Sequence, residues 1–242
     1  MKILVLLSHP DDETIMCGGT IDKLVSLKNE VFVTFYTHND QAYFGKEQQE
    51  KRRERAEQEA KRSSRYLKFF LNFLDFEDMQ VEKDKGLLIQ QTIYEIRRVK
   101  PDIIITHNRN DKHIDHRTIG EIVPEANFQS GCNLCGGDIT WRAKAILQGE
   151  IDLEMTSLFD FDIVSSVSKK NLMKKIRSFQ IYASVNNEHK TGQKWLLEKL
   201  EICARLRGKA VGTEYGEAFI LNNYTPLDSH SVQLVTELLK LI

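Results

Sequence analysis

Four apolar runs of strand length alternate with segments of helical character between residues 2 and 107. The runs are KILVLLS (2–8), EVFVTFYT (30–37), FFLNFL (69–74) and IIITH (103–107). Between them, apolar or small residues recur at helical spacing and predict helices from about residue 14, over 45–67 and over 86–99. Strands that alternate with helices in this way pair in parallel through right-handed crossovers. The sequence therefore predicts an α/β fold with a doubly wound, mostly parallel sheet and helices on both faces.

The pattern is weaker beyond residue 140. Strands are predicted over 143–151 and 157–165, helices over 168–183 and 190–208, and an amphipathic helix over 231–241. No internal repeat, low-complexity tract or linker interrupts the chain. We therefore expect a single Rossmann-like domain over residues 1–242.

The charge balance argues against a polyanionic partner. Charged residues make up 29% of the chain but the net charge is −1, so no overall field would attract nucleic acid or an anionic membrane. No stretch approaches the roughly 18 apolar residues of a membrane span, and acids follow the first strand too early for a secretory signal. We expect a cytoplasmic protein whose partner is a small molecule, with no nucleic acid and no membrane span, and we leave a homo-oligomer open.

The four cysteines do not suggest a disulfide framework. Cys132 and Cys135 form the only close pair, in a Gly-rich loop. A single CxxC is a weak zinc signal. A structural or incidental role is therefore favoured over an opportunistic disulfide or metal site.

Two clusters of His and Asp follow the first and the fourth predicted strands. The first is His9-Pro10-Asp11-Asp12-Glu13. The second lies in THNRNDKHIDHRTIG (106–120) and contains His107, Asp111, His113, Asp115 and His116. Doubly wound folds bind ligands beyond the carboxyl ends of their strands. Both clusters are therefore predicted to lie at the edge of the sheet where a ligand would bind.

A divalent metal ion would explain why three acids are adjacent. Catalytic zinc takes three protein ligands from His nitrogen and carboxylate oxygen and keeps one position open. His9 and Asp12 are three residues apart and can face one point, and His113 or His116 offers the third ligand. Asp11 is then left to act as a general base, and a His of the second cluster to stabilise an oxyanion or protonate a leaving group. These groups are typical of metal-assisted hydrolysis of an amide or ester.

Both clusters also resemble the motifs of a known family. SHPDDETIMCGGTI (8–21) looks like the N-terminal motif of the PIG-L/LmbE-like zinc-dependent N-deacetylases, and HIDH (113–116) matches their second motif, HxDH. The segments RLRGKAVGTEYGEAF (205–219) and KKIRSFQ (174–180) are similar to later parts of the family pattern. Members of this family remove the acetyl group from an N-acetylglucosamine moiety in various conjugates. The resemblance therefore implies an N-acetylated amino sugar as the substrate.

The resemblance also implies a role for each residue of the two motifs. The metal ligands would be His9, Asp12 and His116. They would hold Zn²⁺ or another divalent metal such as Fe²⁺. Asp11 would be the general base. His113 would be the cationic group that faces the tetrahedral intermediate, with Asp115 tuning or orienting it.

The remaining expectations concern the helix start and the substrate. Glu13 would cap the helix that follows the first strand. The substrate contacts expected from the family pattern are Arg53, Arg55 and Gln180, although their spacing departs from that pattern. Residues 1–126 would form the metal-binding core, and residues 127–242 the substrate-loop and C-terminal part.

Residues outside the two motifs are interpreted as structural. His107 ends an apolar strand and is expected to be a hydrogen-bonding residue rather than a ligand. Trp141 and Trp195 are interpreted as packing residues rather than as a sugar platform.

Two alternative functions stay open beside the deacetylase. One is a hydrolase of a different acyl amide, and the other is a module that binds a metal or sugar without catalysis. A nucleotide-dependent dehydrogenase is excluded because no GxGxxG follows the first strand.

Overall fold

The computed structural model describes residues 1–41, 49–136, 139–156, 159–183 and 192–222, together with Ser229, Val232, Gln233 and Glu237. Side chains of the segment that begins at residue 192 are described from Trp195 onward. Among these residues, none of the helices combines the length and the apolar character needed to cross a bilayer.

Seven strands form one sheet in the part of the chain that the structure describes. They are β1 (Lys2–Leu7), β2 (Glu30–Phe35), β3 (Phe70–Phe73), β4 (Ile103–His107), β5 (Ala145–Gly149), β6 (Ile163–Val167) and β7 (Tyr215–Leu221). Their order is β3-β2-β1-β4-β5-β7-β6. The first five strands pair in parallel, and β7 pairs antiparallel with both β5 and β6. The predicted mostly parallel sheet is confirmed, and β7 is a strand that the sequence pattern did not predict.

Six α-helices cover the sheet within the described ranges. They are α1 (Asp12–Ser26), α2 (Gln49–Leu67), α3 (Lys85–Val99), α4 (Ile114–Ser130), α5 (Lys169–Phe179) and α6 (Gly192–Ala210), with a short 3₁₀ helix, Val81–Asp84, before α3. Helix α4 was not predicted, because its first turn carries the polar HIDH motif and Pro124 lies inside it. The helix predicted over 231–241 lies almost wholly outside the described residues.

The central strand β1 sends alternate side chains into two separate cores. Ile3, Val5 and Leu7 pack with residues of α1 and α2 on one face of the sheet. Leu4 and Leu6 pack with residues of α3 and α4 on the other face. Successive side chains of a strand point to opposite faces, so a run that is apolar throughout is buried on both sides. The predicted helices on both faces are thereby confirmed.

The strand order reverses between β1 and β4. The chain passes from β1 to β2 and β3 on one side, then crosses to β4, which pairs with the other edge of β1. This is the topological switch point at which open α/β sheets form a crevice. The two polar clusters of the sequence follow these two neighbouring strands and therefore meet there.

Helix α1 is kinked, and a distant carboxylate compensates for the break. Cys17 has non-helical angles, φ −140° and ψ 23°. The N–H groups of Gly19 and Thr20, just after the kink, donate to Glu217 at 3.0 and 2.7 Å. Glu217 also accepts from the buried ammonium of Lys175 at 2.8 Å. The glutamate of the YGEAF segment thus fixes α1 to β7 and α5.

Candidate active site

The turn after β1 brings the first cluster together. Asp11 is the N-cap of α1, and its carbonyl accepts the N–H groups of Thr14 and Ile15. The Asp12 carboxylate accepts the backbone N–H of His9 at 2.8 Å. This hydrogen bond closes the turn and places the His9 ring beside Asp12, with 3.5 Å between Nδ1 and Oδ2.

The second cluster is organised by the start of α4. His113 is the N-cap, and its Nδ1 accepts the backbone N–H of Asp115 at 3.3 Å. Asp111 accepts the N–H of His113 at 2.8 Å, and the same oxygen lies 3.1 Å from Nδ1 of His116. Asp111 therefore orients the His116 ring so that its other nitrogen, Nε2, faces the first cluster.

Three side chains from the two clusters converge on one point. Nδ1 of His9 lies 3.2 Å from Nε2 of His116. The Asp12 carboxylate lies 3.5 Å from each of these nitrogens, through Oδ2 to His9 and through Oδ1 to His116. All three residues are buried. Donor atoms about 2.1 Å from a tetrahedral zinc lie about 3.4 Å from one another, so these distances suit one divalent cation, with Asp12 meeting His9 through one oxygen and His116 through the other.

The protonation states of two of these residues suit metal binding. Burial alone would raise the pKa of Asp12, but His116 and His107 outweigh it and hold that pKa well below its usual value. Burial, together with His107, lowers the pKa of His116 to about 4. Burial opposes the charge on His9 too, yet hydrogen bonds to Asp115 and other carboxylates raise its pKa well above normal. A cation bound at this point would have to displace a proton from the His9 ring.

The second ring nitrogen of His9, which is not the one that faces His116, contacts two carboxylates. Nε2 lies 3.0 Å from Asp78 and 3.2 Å from Asp115. The Asp115 carboxylate also accepts the N–H of Met79 at 2.8 Å. Asp115 hydrogen-bonds to His113 through its backbone N–H, and its carboxylate acts on His113 only through its charge. Residues two apart at a helix start do not face each other, so the carboxylate turns to His9 instead.

Two other histidines lie close to the convergence point. Suitable donor atoms of His113, His9 and His116 lie within 4.8 Å of one another, as do those of His107, Asp12 and His116. Nε2 of His107 is 2.9 Å from the backbone nitrogen of Ser8, which donates to it, and the ring stacks on His116 with centroids 4.0 Å apart. His107 therefore accepts the predicted hydrogen bond, and its proximity to Asp12 and His116 also places it among the residues that could hold a metal.

The backbone of Asp11 has an unusual conformation at the start of α1. Its φ of 119° lies in the left-handed region that residues other than glycine rarely adopt. None of the described residues forms a hydrogen bond with its carboxylate. Burial, with the charge of Asp12 as the next contribution, raises the pKa of Asp11 well above normal. A carboxylate without a partner and with a raised pKa is suited to accepting a proton.

Glu13 supports this backbone. It accepts the N–H of Asp11 at 3.1 Å, which confirms the predicted capping of the helix start. Its other oxygen accepts the hydroxyls of Ser63 at 2.6 Å and Tyr182 at 2.7 Å. Burial raises the pKa of Glu13 to about 7.

The pKa of His113 favours a neutral ring, whereas the family resemblance implies a cationic group. Burial, reinforced by the charge of His9, lowers its pKa, and this outweighs the attraction of Asp115. Because Nδ1 accepts the backbone N–H, the neutral ring carries its hydrogen on Nε2. His113 can therefore donate a hydrogen bond without being charged.

These groups open into one cavity of about 530 Å³. The turn after β1 and the start of α4 form its inner end, and α2, the loop after β5 and the first turn of α6 form its walls. A volume of this size lies in the range of small-molecule sites.

Comparison with known proteins places this site in a family. A family model described as PIG-L: GlcNAc-PI de-N-acetylase matches residues 4–127, which is more than half of the chain. The chain belongs to the PIG-L family. The matched segment contains both polar clusters, and the PIG-L resemblance of the sequence motifs is confirmed.

Three solved structures share the fold of this PIG-L chain. N,N'-diacetylchitobiose deacetylase from Pyrococcus horikoshii is 19% identical, with a TM-score of 0.78 over 96% of this chain and 88% of that one. GalB, the 4-carboxy-2-hydroxymuconate hydratase from Pseudomonas putida, is 19% identical, with a TM-score of 0.76 over 94% and 98%. A conserved protein from Thermus thermophilus is 20% identical, with a TM-score of 0.76 over 93% and 96%. At these identities the likeness concerns the fold.

The arginines of α2 divide between the cavity and the outer surface of the PIG-L domain. Arg55 lines the cavity, and so does Arg52, which the sequence analysis did not name. Arg53 instead pairs with Asp75 at 2.6 Å and does not line it. Residues three apart on a helix share a face and the residue between them does not, so the Arg53 side chain points elsewhere. Gln180 is exposed at the C-cap of α5 and is also absent from the cavity lining.

The two tryptophans behave differently. Trp141 donates its indole N–H to the carbonyl of Pro101 at 2.8 Å and packs against a core, as expected. Trp195 lines the cavity and is 52% exposed, so its interpretation as a packing residue is wrong. Asp78, which also contacts His9, is among the lining residues that the sequence analysis missed, because it follows β3 without a recognisable motif.

Proposed function

We propose that this chain is a metal-dependent hydrolase that removes an N-acetyl group from an N-acetylglucosamine-like amino sugar conjugate. One observation carries the proposal: His9, Asp12 and His116, whose donor atoms lie 3.2–3.5 Å apart, line the same cavity as Asp11, whose carboxylate forms no hydrogen bond with the described residues. The family match points to the same chemistry, because its model is described as a de-N-acetylase.

His9, Asp12 and His116 would hold the metal, either Zn²⁺ or another divalent ion such as Fe²⁺. When bound, the ion would supply a Lewis acid beside the acyl group and the attacking water. The three donors are buried and come from two neighbouring strand ends. A rigid sheet edge therefore sets their spacing.

Asp11 is the proposed general base. It would take a proton from the water that attacks the acetyl carbon and pass that proton to the amine nitrogen as the carbon–nitrogen bond breaks. Its raised pKa brings the carboxylate closer to the pH at which both transfers are balanced. Its freedom from hydrogen bonds to described residues leaves both oxygens available.

His113 is the proposed donor to the acyl oxygen. Its Nε2–H would stabilise the negative charge that develops on that oxygen in the transition state. The backbone N–H of Asp115 fixes the tautomer, so the donor is oriented before the substrate arrives.

The fold by itself does not choose the reaction, since one of the similar structures is a hydratase. We favour a deacetylase because the family model covers both polar clusters. A hydrolase of another acyl amide would use the same groups and differ in the substrate. We further propose a cytoplasmic location, with residues 1–126 providing the metal-binding core and residues 127–242 much of the substrate wall.

The experiment is a metal-dependent acetate assay. The protein is treated with a chelator, Zn²⁺ or Fe²⁺ is restored, and acetate release is measured from simple N-acetylated amino sugars and from N-acyl analogues with longer chains. We expect release only with metal, and a loss of 10² to 10⁴-fold in Asp11→Asn. Unchanged hydrolysis in Asp11→Asn would show that another group is the base, and release of longer acyl chains alone would exclude the acetyl substrate.

A further inference from the structure

The outer wall of the cavity carries an apolar surface that the proposed chemistry does not use. It is formed by Ile151 and Met155 from the loop after β5, and by Trp195 and Leu196 from the first turn of α6. We call these four residues the apolar shelf. Trp195 is 52% exposed and lines the cavity, and a tryptophan ring offers a large apolar face together with an N–H donor to a bound ligand.

The ring of Trp195 is held in place by a charged side chain. The ammonium of Lys199, one helical turn later, lies 4.6 Å from the ring centroid. Lys199 is itself fixed by Asp152 at 2.7 Å and Glu154 at 3.0 Å. The cation–π contact and the two ion pairs leave the indole with few alternative orientations.

The loop after β5 connects the shelf to the inner end of the cavity. Asp152 stabilises the loop by accepting the N–H groups of Glu154 and Met155, both at 2.7 Å. Thr156 then donates its hydroxyl to Asp111 at 2.9 Å. Asp111 is the residue that orients His116. One short segment therefore sets the distance between the shelf and the proposed catalytic groups.

The size of the cavity leaves room beyond the reacting sugar. About 530 Å³ is within the range of sites that enclose drug-sized ligands, and a single amino sugar is smaller than that. Among the described residues, the ammonium that contacts Trp195 is already paired with Asp152 and Glu154, so this group adds little attraction for a charged ligand. An uncharged group with an apolar face is the best match to this wall.

We propose that the apolar shelf binds the aglycone of the substrate, and that this aglycone presents an apolar ring to Trp195. The proposal rests on the proposed function, because it names the group attached to the amino sugar. It assigns Trp195 as a residue that determines specificity and has no part in the chemical step.

Binding to the shelf can be measured without turnover. The chain has two tryptophans, so Trp141→Phe leaves Trp195 as the sole indole reporter. Asp11→Asn in the same full-length protein keeps the acetyl group on the ligand. We expect phenyl N-acetyl-β-D-glucosaminide to change the Trp195 emission saturably, with about ten-fold higher affinity than the methyl glycoside. Equal affinity for the two glycosides, or no change in emission, would overturn the proposal.

Kinetics provide the second readout. In the wild type, kcat/KM for the phenyl glycoside should exceed that for the methyl glycoside about ten-fold. Trp195→Ala should bring the ratio close to one by raising KM for the phenyl glycoside, and Trp195→Phe should keep much of the preference. Trp141→Phe is the matched control and should keep the full ratio. A preference for the phenyl glycoside that survives Trp195→Ala would overturn the proposal. A Trp195-dependent preference for N,N'-diacetylchitobiose over the phenyl glycoside would show that the aglycone is a sugar rather than an apolar ring, and would also overturn it.

The two proposals fail in distinguishable ways. If no amino sugar loses acetate but the emission titration still favours the phenyl glycoside, the proposed deacetylase function is wrong and the proposed aglycone site is supported. If acetate is released from both glycosides at equal rates, with or without Trp195, the deacetylase stands and the shelf is wrong.

Discussion

The Glu13 carboxylate accepts the backbone N–H of Asp11 at 3.1 Å, so a buried acid anchors the residue proposed as the base. The contact matters because Asp11 has a φ of 119°. Conformations of this kind cost of order 1–3 kcal/mol and persist only where the surroundings hold them. Glu13 in turn accepts the hydroxyls of Ser63, from α2, and of Tyr182, from the turn after α5.

The first prediction concerns this anchor. Glu13→Ala leaves the Asp11 N–H and two buried hydroxyls without their acceptor, and we expect it to lower the free energy of unfolding by about 3 kcal/mol. Activity should fall about 10²-fold as Asp11 moves from its position. Glu13→Gln retains an acceptor and should lose less on both measures. Denaturant unfolding and the acetate assay check this, and a fully active Glu13→Ala would contradict it.

The second prediction is a pH dependence of stability. Burial raises the pKa of Glu13 from 4.5 to about 7 in the folded protein. The folded state therefore holds this proton more tightly than the unfolded state. The contribution is fully present below pH 4.5, declines as the pH rises towards 7 and is lost above it. The difference amounts to about 3 kcal/mol.

The matched variant for this pH effect is Glu13→Gln, which cannot titrate. In chelator-containing buffer, the stability of the wild type minus that of Glu13→Gln should decrease between pH 4.5 and about 7 and then stay level. Urea unfolding at a series of pH values measures the difference. A difference that rises with pH over this window would refute the assignment.

The third prediction concerns metal affinity. Asp111 orients His116 through Nδ1 at 3.1 Å and makes no contribution to the donor set itself. Removing such an outer partner typically weakens metal affinity 10 to 100-fold, and we expect this for Asp111→Asn in competition with a chromophoric chelator. Asp75→Asn is the control, because Asp75 contacts His38 and Arg53 rather than the metal site. Equal affinity of the two variants would show that His116 needs no support from Asp111.

The fourth prediction tests the link between α1 and β7. Glu217→Ala would leave the Lys175 ammonium buried without its partner and the Gly19 and Thr20 N–H groups without an acceptor. Breaking a buried pair in this way costs about 3–5 kcal/mol of unfolding free energy. Glu201→Ala, which removes an exposed partner of Arg205, should change stability by less than about 0.5 kcal/mol. Similar losses in the two variants would argue against the role of Glu217.

The fifth prediction separates the arginines of α2. Arg55 lines the cavity and Arg53 pairs with Asp75 outside it. Arg55→Ala should raise KM for the amino sugar about ten-fold, as expected for the loss of one charged contact. Arg53→Ala should leave KM unchanged. Steady-state acetate release from both variants tests this, and the reverse order would mean that the substrate approaches the other face of α2.

Contacts within the site differ in how far apart their residues lie in the chain, and this separation decides which of them the sequence could predict. His9 and Asp12 are held together by a turn of four residues, so their proximity could be inferred from local sequence. Asp78 meets the same His9 ring from 69 residues away, and it follows a short strand with no motif around it. Nothing in the local sequence marked it as a neighbour of the site.

The same distinction explains the differences in side-chain direction. The sequence predicted arginines on α2 but not the rotation of the helix about its axis, which decides that Arg55 and not Arg53 faces the cavity. Trp195 could be seen to lie on a helix, but its exposure depends on which elements pack around that helix.

The sequence alone determined the strand and helix alternation, and with it the placement of two polar clusters at the ends of neighbouring strands. Apolar periodicity is a property of the local sequence, and crossovers between parallel strands have one preferred handedness. Both can therefore be inferred without the tertiary structure. The tertiary structure decided which carboxylate supports which histidine, which face of each helix lines the cavity and which tryptophan meets it. Those outcomes depend on packing between segments remote in the chain, where rotation of a helix or a change of rotamer selects one partner over another.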